Sequence, residues 1–175
     1  MKRTVRVVPY DKRWPDAFAI ERDALSRFLG PAASAIHHIG STSVPGLCAK
    51  PVIDILVETP GLVMIDQTTA ELEARAYAAK GEHGIPGRRY FSRPPGPELM
   101  VHVHAFRVDD PHIARHLRFR DLLRSDEELV AQYCALKQQL AIDHVDDPDT
   151  YQASKADFIQ RIHAVARHGS FPVEG

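Results

Sequence analysis

Gly40, Ser41 and Thr42 are the residues of this sequence whose types and spacing best suit phosphate chemistry. They follow a short apolar segment, and a glycine there lets a ligand approach the backbone closely because it carries no Cβ. Hydroxyl groups and the backbone amides of a turn can hold phosphate oxygens. The motif therefore predicts a phosphate-binding turn. Lys50, just before the next apolar segment, is either a partner for the same phosphate or an ordinary loop charge.

Asp54 lies within an apolar, β-branched segment that predicts a strand over 51–58. Strand alternation places Asp54, Leu56 and Glu58 on one face of that strand. A carboxylate in mid-strand is costly to bury unless it meets a cation or hydrogen-bond donors, and a divalent metal is one natural partner. Asp54 is therefore the candidate catalytic residue and a candidate metal ligand. Glu58 is either a further metal ligand or a solvated residue at the strand end.

His102 and His104 form a second group of candidate ligands, because the alternating segment 99–106 places both imidazoles on one face. Imidazole suits Zn, Mn, Fe or Ni better than Mg. If this strand lies beside the one that carries Asp54, two histidines and one carboxylate converge as an open metal site. The alternative is a pair of hydrogen-bonded histidines that line a polar cleft.

Lys137 and Lys155 each follow a tyrosine by four positions, as Tyr133-x-x-x-Lys137 and Tyr151-x-x-x-Lys155. Both lysines lie on or beside the apolar stripe of a predicted helix. A lysine in that position either extends along apolar surface to reach solvent or binds an anion. The repeated placement favours a phosphate-binding cleft that faces the sheet.

The remaining pattern predicts the elements that must position these residues. Strands are predicted over 5–8, 35–39, 51–58, 89–92 and 99–107, and helices over 16–29 and over 66–80, where Gly81 ends the helix. Three further helices begin at Asp110-Pro111, at a capping box of Ser125 with Glu128, and at Asp147-Pro148. We expect an α+β fold in a single domain over 1–175. A small mixed β-sheet with flanking helices occupies 1–108, and C-terminal helices occupy 109–170.

Composition excludes several classes of function. The chain has 175 residues, 44% of them hydrophobic and 26% charged, with a net charge of −1. It has no overall basic field, so we do not expect nucleic acid as a partner. Arg115, Arg118, Arg120 and Arg124 either hold a triphosphate or pair with Asp121, Asp126 and Glu127, and we expect pairing for most of them. No segment approaches the roughly 20 apolar residues of a membrane span. We expect a cytoplasmic protein, with Cys48 and Cys134 as buried free thiols.

The run from His37 to Ile55 resembles the motif of the GrpB family, which is related to the nucleotidyltransferase superfamily. Ile39-Gly40-Ser41 matches the first half of the superfamily pattern, and Asp54 matches its first acid. The likeness continues at 102–104, 116–121, Tyr133 with Lys137, and Tyr151 with Lys155. It implies a nucleotidyltransferase-like fold, a nucleotide or phosphorylated small molecule as ligand, and Mg or Mn as cofactor.

Leu56 departs from that pattern, because an active nucleotidyltransferase has its second acid there. Transfer with two metals needs several carboxylates, so the departure weakens this mechanism. The leading hypothesis remains a metal-dependent, nucleotidyltransferase-like enzyme. One alternative is a catalytically silent nucleotide- or partner-binding module, since similar domains occur fused to dephospho-coenzyme A kinase. Another is a hydrolase that uses Zn, Ni or Fe bound by His102 and His104.

Overall fold

The computed structural model describes residues 4–94 and 99–168. The helices are α1 (Trp14–Leu29), α2 (Leu62–Glu73), α3 (Pro111–Ser125), α4 (Glu127–Asp143), α5 (Pro148–Ala153) and α6 (Ala156–His168). The strands are β1 (Ala35–Ile39), β2 (Val52–Thr59), β3 (Ala78–Ala79), β4 (Arg88–Arg93) and β5 (Met100–Arg107). Two short 3₁₀ turns cover Gly30–Ala32 and Ser41–Ser43.

The strands form one five-stranded sheet in the order β1-β2-β5-β4-β3. β2 and β5 are parallel neighbours, whereas the other pairs are antiparallel. A parallel pair needs a crossover, which here runs through α2, β3 and β4. The register places Asp54 opposite His102, and Leu56 opposite His104. The predicted α+β class with a mixed sheet is confirmed.

The two faces of the sheet have different environments because the central strands alternate. One face carries the main hydrophobic core with α1 and α2, in which Ile53, Ile55, Val57, Val101, Val103 and Ala105 are buried. The opposite face carries Asp54, His102 and His104, all partly exposed. A small apolar cluster of Ile39, Leu56, Phe106 and Ile113 packs α3 against this second face. The strand that bears Asp54 is therefore covered only in part.

The C-terminal helices pack together with the loop that follows β1. Val44 and Leu47 of this loop are buried in a cluster with residues of α3, α4 and α6, namely Leu123, Leu129, Tyr133, Phe158 and Ile162. Arg124 of α3 donates from Nε and Nη2 to the carbonyl oxygen of Ser43, at 2.9 and 2.7 Å. The helical part of the chain thus fixes the turn that the sequence predicts to bind phosphate.

Most predicted elements are confirmed, including α1, β1, β2, the β4–β5 pair and the cap at Asp110. The strand predicted over 5–8 is wrong, because it is reduced to one bridge between Val8 and Ala49. The helix predicted over 66–80 is also wrong at both bounds. It begins at Leu62 and ends at Glu73, and Ala76 then takes a positive φ of 65°.

Tyr77 explains where that helix ends, because the turn at Ala76 directs this side chain into the main core, where it is 1% exposed. Ala78 and Ala79 then pair with β4 instead of continuing the helix to Gly81. The cap predicted at Ser125 is wrong by one residue. The Asp126 carboxylate accepts from the amide of Leu129 at 3.0 Å, because its side chain is the one adjacent to the free amides of α4.

Cys48 and Cys134 form a disulfide, so the prediction of two free thiols is wrong. Their Cα atoms lie 5.4 Å apart, although 86 positions separate them in the sequence. The bridge joins the loop before β2 to α4. Disulfides are rare in a reducing cytosol, so the expected cytoplasmic location stays a prediction. Within the described ranges, no helix is long and apolar enough to cross a membrane.

Candidate functional site

Asp54, His102 and His104 meet on the partly exposed face of the sheet. Asp54 Oδ1 lies 3.2 Å from His102 Nδ1 and 3.5 Å from His104 Nε2. One ligand atom from each residue lies within 4.8 Å of the other two. The predicted adjacency of the two strands is therefore confirmed. A carboxylate with two imidazoles is the donor set of open sites for Zn, Fe, Mn or Ni, so these residues fit a divalent metal.

The carboxyl of Asp54 is held in its ionised form by its two histidine neighbours. Partial burial raises its pKa, but hydrogen bonds from His102 and His104 and their charges outweigh this effect. The net result is a pKa well below the ordinary value for aspartate. An ionised carboxylate is the form that binds a cation.

Arg88 contributes a contact that the sequence interpretation missed. It is 6% exposed, and its guanidinium donates to the Glu82 and His83 carbonyls and contacts His104 Nδ1 at 3.3 Å. A guanidinium can only donate. When His104 is neutral, it therefore accepts at Nδ1 and carries its hydrogen on Nε2, the atom that faces Asp54. Metal ligation through Nε2 requires this hydrogen to leave and Arg88 to release Nδ1.

Tyr90 and His116 are two further neighbours of His104 that sequence reasoning did not place at the site. The ring centroids of Tyr90 and His104 are 5.0 Å apart, and those of His104 and His116 are 5.8 Å apart. Burial, and then the charge of His104, lowers the pKa of His116 to about 4. Strand alternation in 88–93 could have indicated that Arg88 and Tyr90 share a face, but not which face the histidines occupy.

Gly40 brings the predicted phosphate turn directly against Asp54. A Cβ at this position would lie 2.5 Å from Asp54 Oδ2, closer than a real Cβ contact allows. The residue also has a positive φ of 69°, a conformation that favours glycine. Only glycine therefore permits the turn and the carboxylate to lie side by side without rearrangement.

Thr42 supports the turn from inside. It is 1% exposed, and its hydroxyl donates to the Val52 carbonyl at 2.9 Å. The Thr42 oxygen also lies 3.0 Å from His38 Nε2. Because the Thr42 hydrogen already goes to Val52, His38 is the donor in this contact. Burial lowers the pKa of His38 to about 4. The Thr42 hydroxyl was expected to hold phosphate, but these contacts use it within the turn. Ser43 adds a 2.6 Å bond to the Gly40 carbonyl.

Lys137 of α4 reaches the same turn from the helical part. Its Nζ lies 3.0 Å from Ser41 Oγ and donates a short hydrogen bond to the Cys48 carbonyl. Tyr133 lies one helical turn before it, with its ring centroid 4.5 Å from Nζ. Burial, and then the charge of Lys155, lowers the pKa of Lys137 to about 6.

Lys155 and Lys50 lie beside Lys137, around the ring of Tyr151. Lys155 Nζ is 4.5 Å and Lys50 Nζ 4.9 Å from the Tyr151 centroid. Burial, and then the charge of Lys50, lowers the pKa of Lys155 to about 8, while Asp54 opposes the shift. Lys50 and Lys155 therefore lie at the same tyrosine ring, and the charge of Lys155 also acts on Lys137.

Neither of the two positions of β2 where a second acid was considered contributes a carboxylate to the site. Glu58 lies at the far end of β2, where its Oε1 is 2.8 Å from His37 Nε2. It is not part of the group formed by Asp54 and the histidines, because four residues of extended strand separate it from Asp54. Leu56, where the second acid of a nucleotidyltransferase was expected, is 0% exposed and packs on Phe106 and Ile113.

The expectation that most α3 arginines pair with acids is wrong for the contacts that the structure describes, of which only that of Arg120 with Asp121 is to a carboxylate. Arg120 pairs with Asp121 at 2.7 Å and donates to the His38 carbonyl, and Arg115 contacts His163. Arg124 donates to the Ser43 carbonyl rather than to a carboxylate.

The model of the GrpB protein family matches residues 4–164 of the chain. The chain belongs to the GrpB family. It is 41% identical over 159 residues to the UPF0157 protein YqkA of Bacillus subtilis, a match that covers 91% of the chain and 46% of YqkA. It thus spans about half the length of this curated relative. The crystal structure of GrpB from Enterococcus faecalis matches with a TM-score of 0.87 and 39% identity, and 92% of the chain covers 96% of that protein.

The fold of this GrpB-family chain is also found in nucleotidyltransferases. A structure of Cid1 poly(U) polymerase with MgGTP bound matches 75% of the chain and 42% of the polymerase, with a TM-score of 0.52 and 15% identity. At that identity the likeness concerns the fold. The GrpB-family chain is also 30% identical over 178 residues to a dephospho-CoA kinase of Mycolicibacterium paratuberculosis, covering 86% of the chain and 43% of the kinase.

Proposed function

We propose that this protein is a metal-dependent, nucleotidyltransferase-like enzyme that acts on a nucleotide or another phosphorylated small molecule. The observation that carries the proposal is the contact at Gly40. There, the turn with the buried lysines touches the carboxylate of the Asp54–His102–His104 group. Gly40 thus places candidate metal ligands directly beside a cationic turn. This arrangement suits a ligand that combines a metal ion with a phosphate.

Asp54, His102 and His104 would hold the metal in this proposal. Asp54 supplies an ionised oxygen, and each histidine supplies one ring nitrogen. A divalent metal bound there acts as a Lewis acid that polarises a phosphoryl oxygen. Mg or Mn suits the carboxylate and a phosphate, whereas Zn, Ni or Fe suits the imidazoles better.

Ser41 and the lysines would receive the phosphate. Gly40 gives the phosphate access to the backbone, and Ser41 presents a partly exposed hydroxyl at the same turn. Lys155 and Lys50 supply positive charge for a polyphosphate, and Lys137, which contacts Ser41, adds its charge when it takes up a proton. Because burial and mutual repulsion lower the pKa of Lys155, a bound anion would favour its charged form.

The similarity of the fold to Cid1 poly(U) polymerase supports a nucleotide as the ligand, since that protein was solved with MgGTP bound.

Leu56 favours a second candidate function, which is hydrolysis of a phosphoester with one metal. The buried Leu56 leaves the motif with Asp54 as its single acid, and two imidazoles complete the set. Two-metal transfer relies on more carboxylates than the described residues place here.

Thermal unfolding of the full chain tests the proposal, with ATP, CTP, GTP or UTP, each with and without Mg or Mn. A nucleotide at a hundred times its dissociation constant should add about 2.7 kcal/mol of stability. We expect this gain to require the metal and to disappear in Asp54→Asn and in the double variant His102→Ala/His104→Ala. Asp66→Asn is the matched control, because Asp66 pairs with Arg89 on the exposed surface of α2.

The metal that binds separates the two candidates. A gain with a nucleotide and Mg or Mn supports nucleotidyl transfer, whereas tight uptake of Zn, Ni or Fe without any nucleotide effect supports hydrolysis. The absence of stabilisation by every nucleotide and every metal would contradict both, and would favour a catalytically silent module. Loss of the gain in Asp66→Asn would show that the assay reports general destabilisation.

A further inference from the structure

Lys137 is the most deeply buried of the lysines that the structure describes, with 1% of its surface exposed. Its Nζ lies 3.0 Å from Ser41 Oγ, and its other polar contact is the Cys48 carbonyl. The charge that shifts the pKa of Lys137 is that of Lys155, a second cation rather than a carboxylate. A buried ammonium without a carboxylate partner is costly.

These surroundings favour the neutral amine, and the pKa of Lys137 is accordingly lowered to about 6, by burial first and then by Lys155. A neutral amine has two hydrogens and one lone pair. One hydrogen can go to the Cys48 carbonyl, which has no hydrogen to donate. With Lys137 charged, Nζ donates to Ser41 Oγ at 3.0 Å. Once Lys137 is neutral, the same contact allows its lone pair to accept the hydrogen of the Ser41 hydroxyl. A serine whose hydrogen is accepted by an amine is the arrangement of an activated nucleophile.

Ser41 is also placed where a nucleophile would be used. Unlike Thr42 and Ser43, which are 1% and 4% exposed, Ser41 is only partly buried. It directly follows Gly40, which contacts the carboxylate of Asp54. A phosphoryl group at the Asp54–histidine group is therefore adjacent to the serine that contacts Lys137.

We propose that Ser41 is a nucleophile activated by Lys137, and that it accepts a phosphoryl or nucleotidyl group from a phosphate ester or anhydride. This inference rests on the proposed function for the class of its substrate. The Ser41 Oγ–P bond forms with an electron pair of Oγ, and the P–O bond to the leaving group breaks. The leaving group keeps that electron pair, and the Oγ proton moves to Lys137 Nζ.

Release of the covalent group reverses the proton transfer. Water or a hydroxyl acceptor attacks phosphorus, the Ser41 Oγ–P bond breaks, and Nζ returns its proton to Oγ while the proton of the acceptor goes to solvent. Between the two steps Lys137 is an ammonium 4.5 Å from the Tyr133 ring centroid, within the range of a favourable cation–π contact. Lys137 thus supplies positive charge when Ser41 carries the phosphoryl group.

An alkyl fluorophosphonate tests the dyad directly, because it labels activated serines without a metal or a nucleotide. In that reaction the Oγ–P bond forms, fluoride leaves with the electron pair of the P–F bond, and Lys137 takes the Oγ proton. Intact-mass measurement and peptide mapping of the full chain should locate one adduct on Ser41, and Ser41→Ala should abolish it. Lys137→Met should slow labelling about a hundredfold or more, as expected for the loss of a general base.

Lys80→Met is the control. Lys80 is exposed directly after β3, at the edge of the sheet, and lies outside the proposed site. Labelling at a near wild-type rate in this variant, with the large loss in Lys137→Met, supports the dyad. An equal rate in wild type and Lys137→Met, or the absence of an adduct on Ser41, would overturn it.

The pH dependence of wild-type labelling needs no variant and therefore does not depend on how Lys137→Met folds. The rate should rise with pH and level off above about 6, the pKa of Lys137, instead of rising towards the ordinary 10.5. Lys155 and the phenol of Tyr133 are the titratable groups that face Nζ, and burial raises the pKa of Tyr133. A rate that still rises at high pH would also overturn the dyad.

The two proposals fail separately. An adduct on Ser41 without any stabilisation by metal or nucleotide would contradict the proposed function and leave the dyad standing. Metal-dependent stabilisation by a nucleotide without an adduct would retain the proposed function and reduce Ser41 to a phosphate ligand.

Discussion

At the scale of single residues, Gly40 joins the two parts of the site through its lack of a side chain. The chain there has a φ of 69°, and the space for a Cβ is already occupied by the Asp54 carboxylate. Gly46, in the same loop, has a φ of 78°, but a Cβ there would lie 4.0 Å from its nearest neighbour, a Val130 methyl group. A comparison of substitutions at the two glycines therefore separates the effect of backbone strain from that of steric contact.

Gly40→Ala should destabilise the protein more than Gly46→Ala and should abolish stabilisation by metal ions. Both variants bear the cost of a left-handed backbone, roughly 1–2 kcal/mol. Gly40→Ala must in addition displace the Asp54 carboxylate, because the contact would be 2.5 Å. Chemical denaturation, with and without Mn, measures both effects. Equal losses of stability in the two variants would show that the contact with Asp54 is unimportant.

The grouping of the candidate metal ligands could be predicted from the sequence, whereas their surroundings could not. Alternation within a strand has a period of two, so the shared face of His102 and His104 is visible in the sequence. The neighbours of a strand depend on the topology of the sheet, which no local pattern contains. The approach of Arg88 and Tyr90 to His104 appears only when β4 and β5 pair.

At the scale of secondary-structure elements, the disulfide fixes α4 against the loop that leads into β2. Cys134 precedes Lys137 by about one helical turn, so the bridge and the Lys137 contact to Cys48 fasten the same surface of the helix. Two cysteines 86 positions apart leave no local signal that they pair. This explains why the sequence suggested free thiols.

Reduction of the disulfide should lower the stability of the protein by an amount on the order of 4 kcal/mol, because the bridge closes a long loop in the unfolded chain. Denaturant unfolding with and without dithiothreitol measures this loss. The double variant Cys48→Ser/Cys134→Ser should match the reduced protein and should not respond to dithiothreitol. An equal response of wild type and double variant would contradict the expectation.

The elements that were predicted well are those with a strong pattern along the chain. β5 alternates from Met100 to Ala105 and β2 alternates except at Leu56, and the Asp110 and Asp147 caps precede a proline. The prediction failed between Glu73 and Gly81, where helix-forming residues continue but the chain turns. Burial of Tyr77 in the main core is a tertiary effect, and it overrides the local preference for helix.

At the scale of the whole molecule, the two larger hydrophobic clusters support different parts of the structure. The main core on one face of the sheet includes Phe91, and the cluster of the C-terminal helices includes Phe158. Phe158 stacks on Tyr133 with ring centroids 4.6 Å apart, and Tyr133 in turn lies beside Lys137. Only the second cluster therefore bears directly on the position of the buried lysine.

Phe158→Ala and Phe91→Ala should each destabilise the protein by about 3–5 kcal/mol, because both side chains are buried. Phe158→Ala alone should also slow fluorophosphonate labelling of Ser41, since Tyr133 and Lys137 lose their support. Denaturant unfolding and labelling rates, measured at a temperature where both variants are folded, check the two effects. Equal slowing in both variants would mean that labelling follows overall stability.

The central position of β5 has a consequence for biosynthesis. β5 is the last strand of the sheet to leave the ribosome, yet it inserts between β2 and β4, which precede it. Until Arg107 has been made, the nascent chain exposes one unpaired edge of β2, and such edges invite association with other chains. The candidate metal ligands also cannot come together on this intermediate, because His102 and His104 lie on β5.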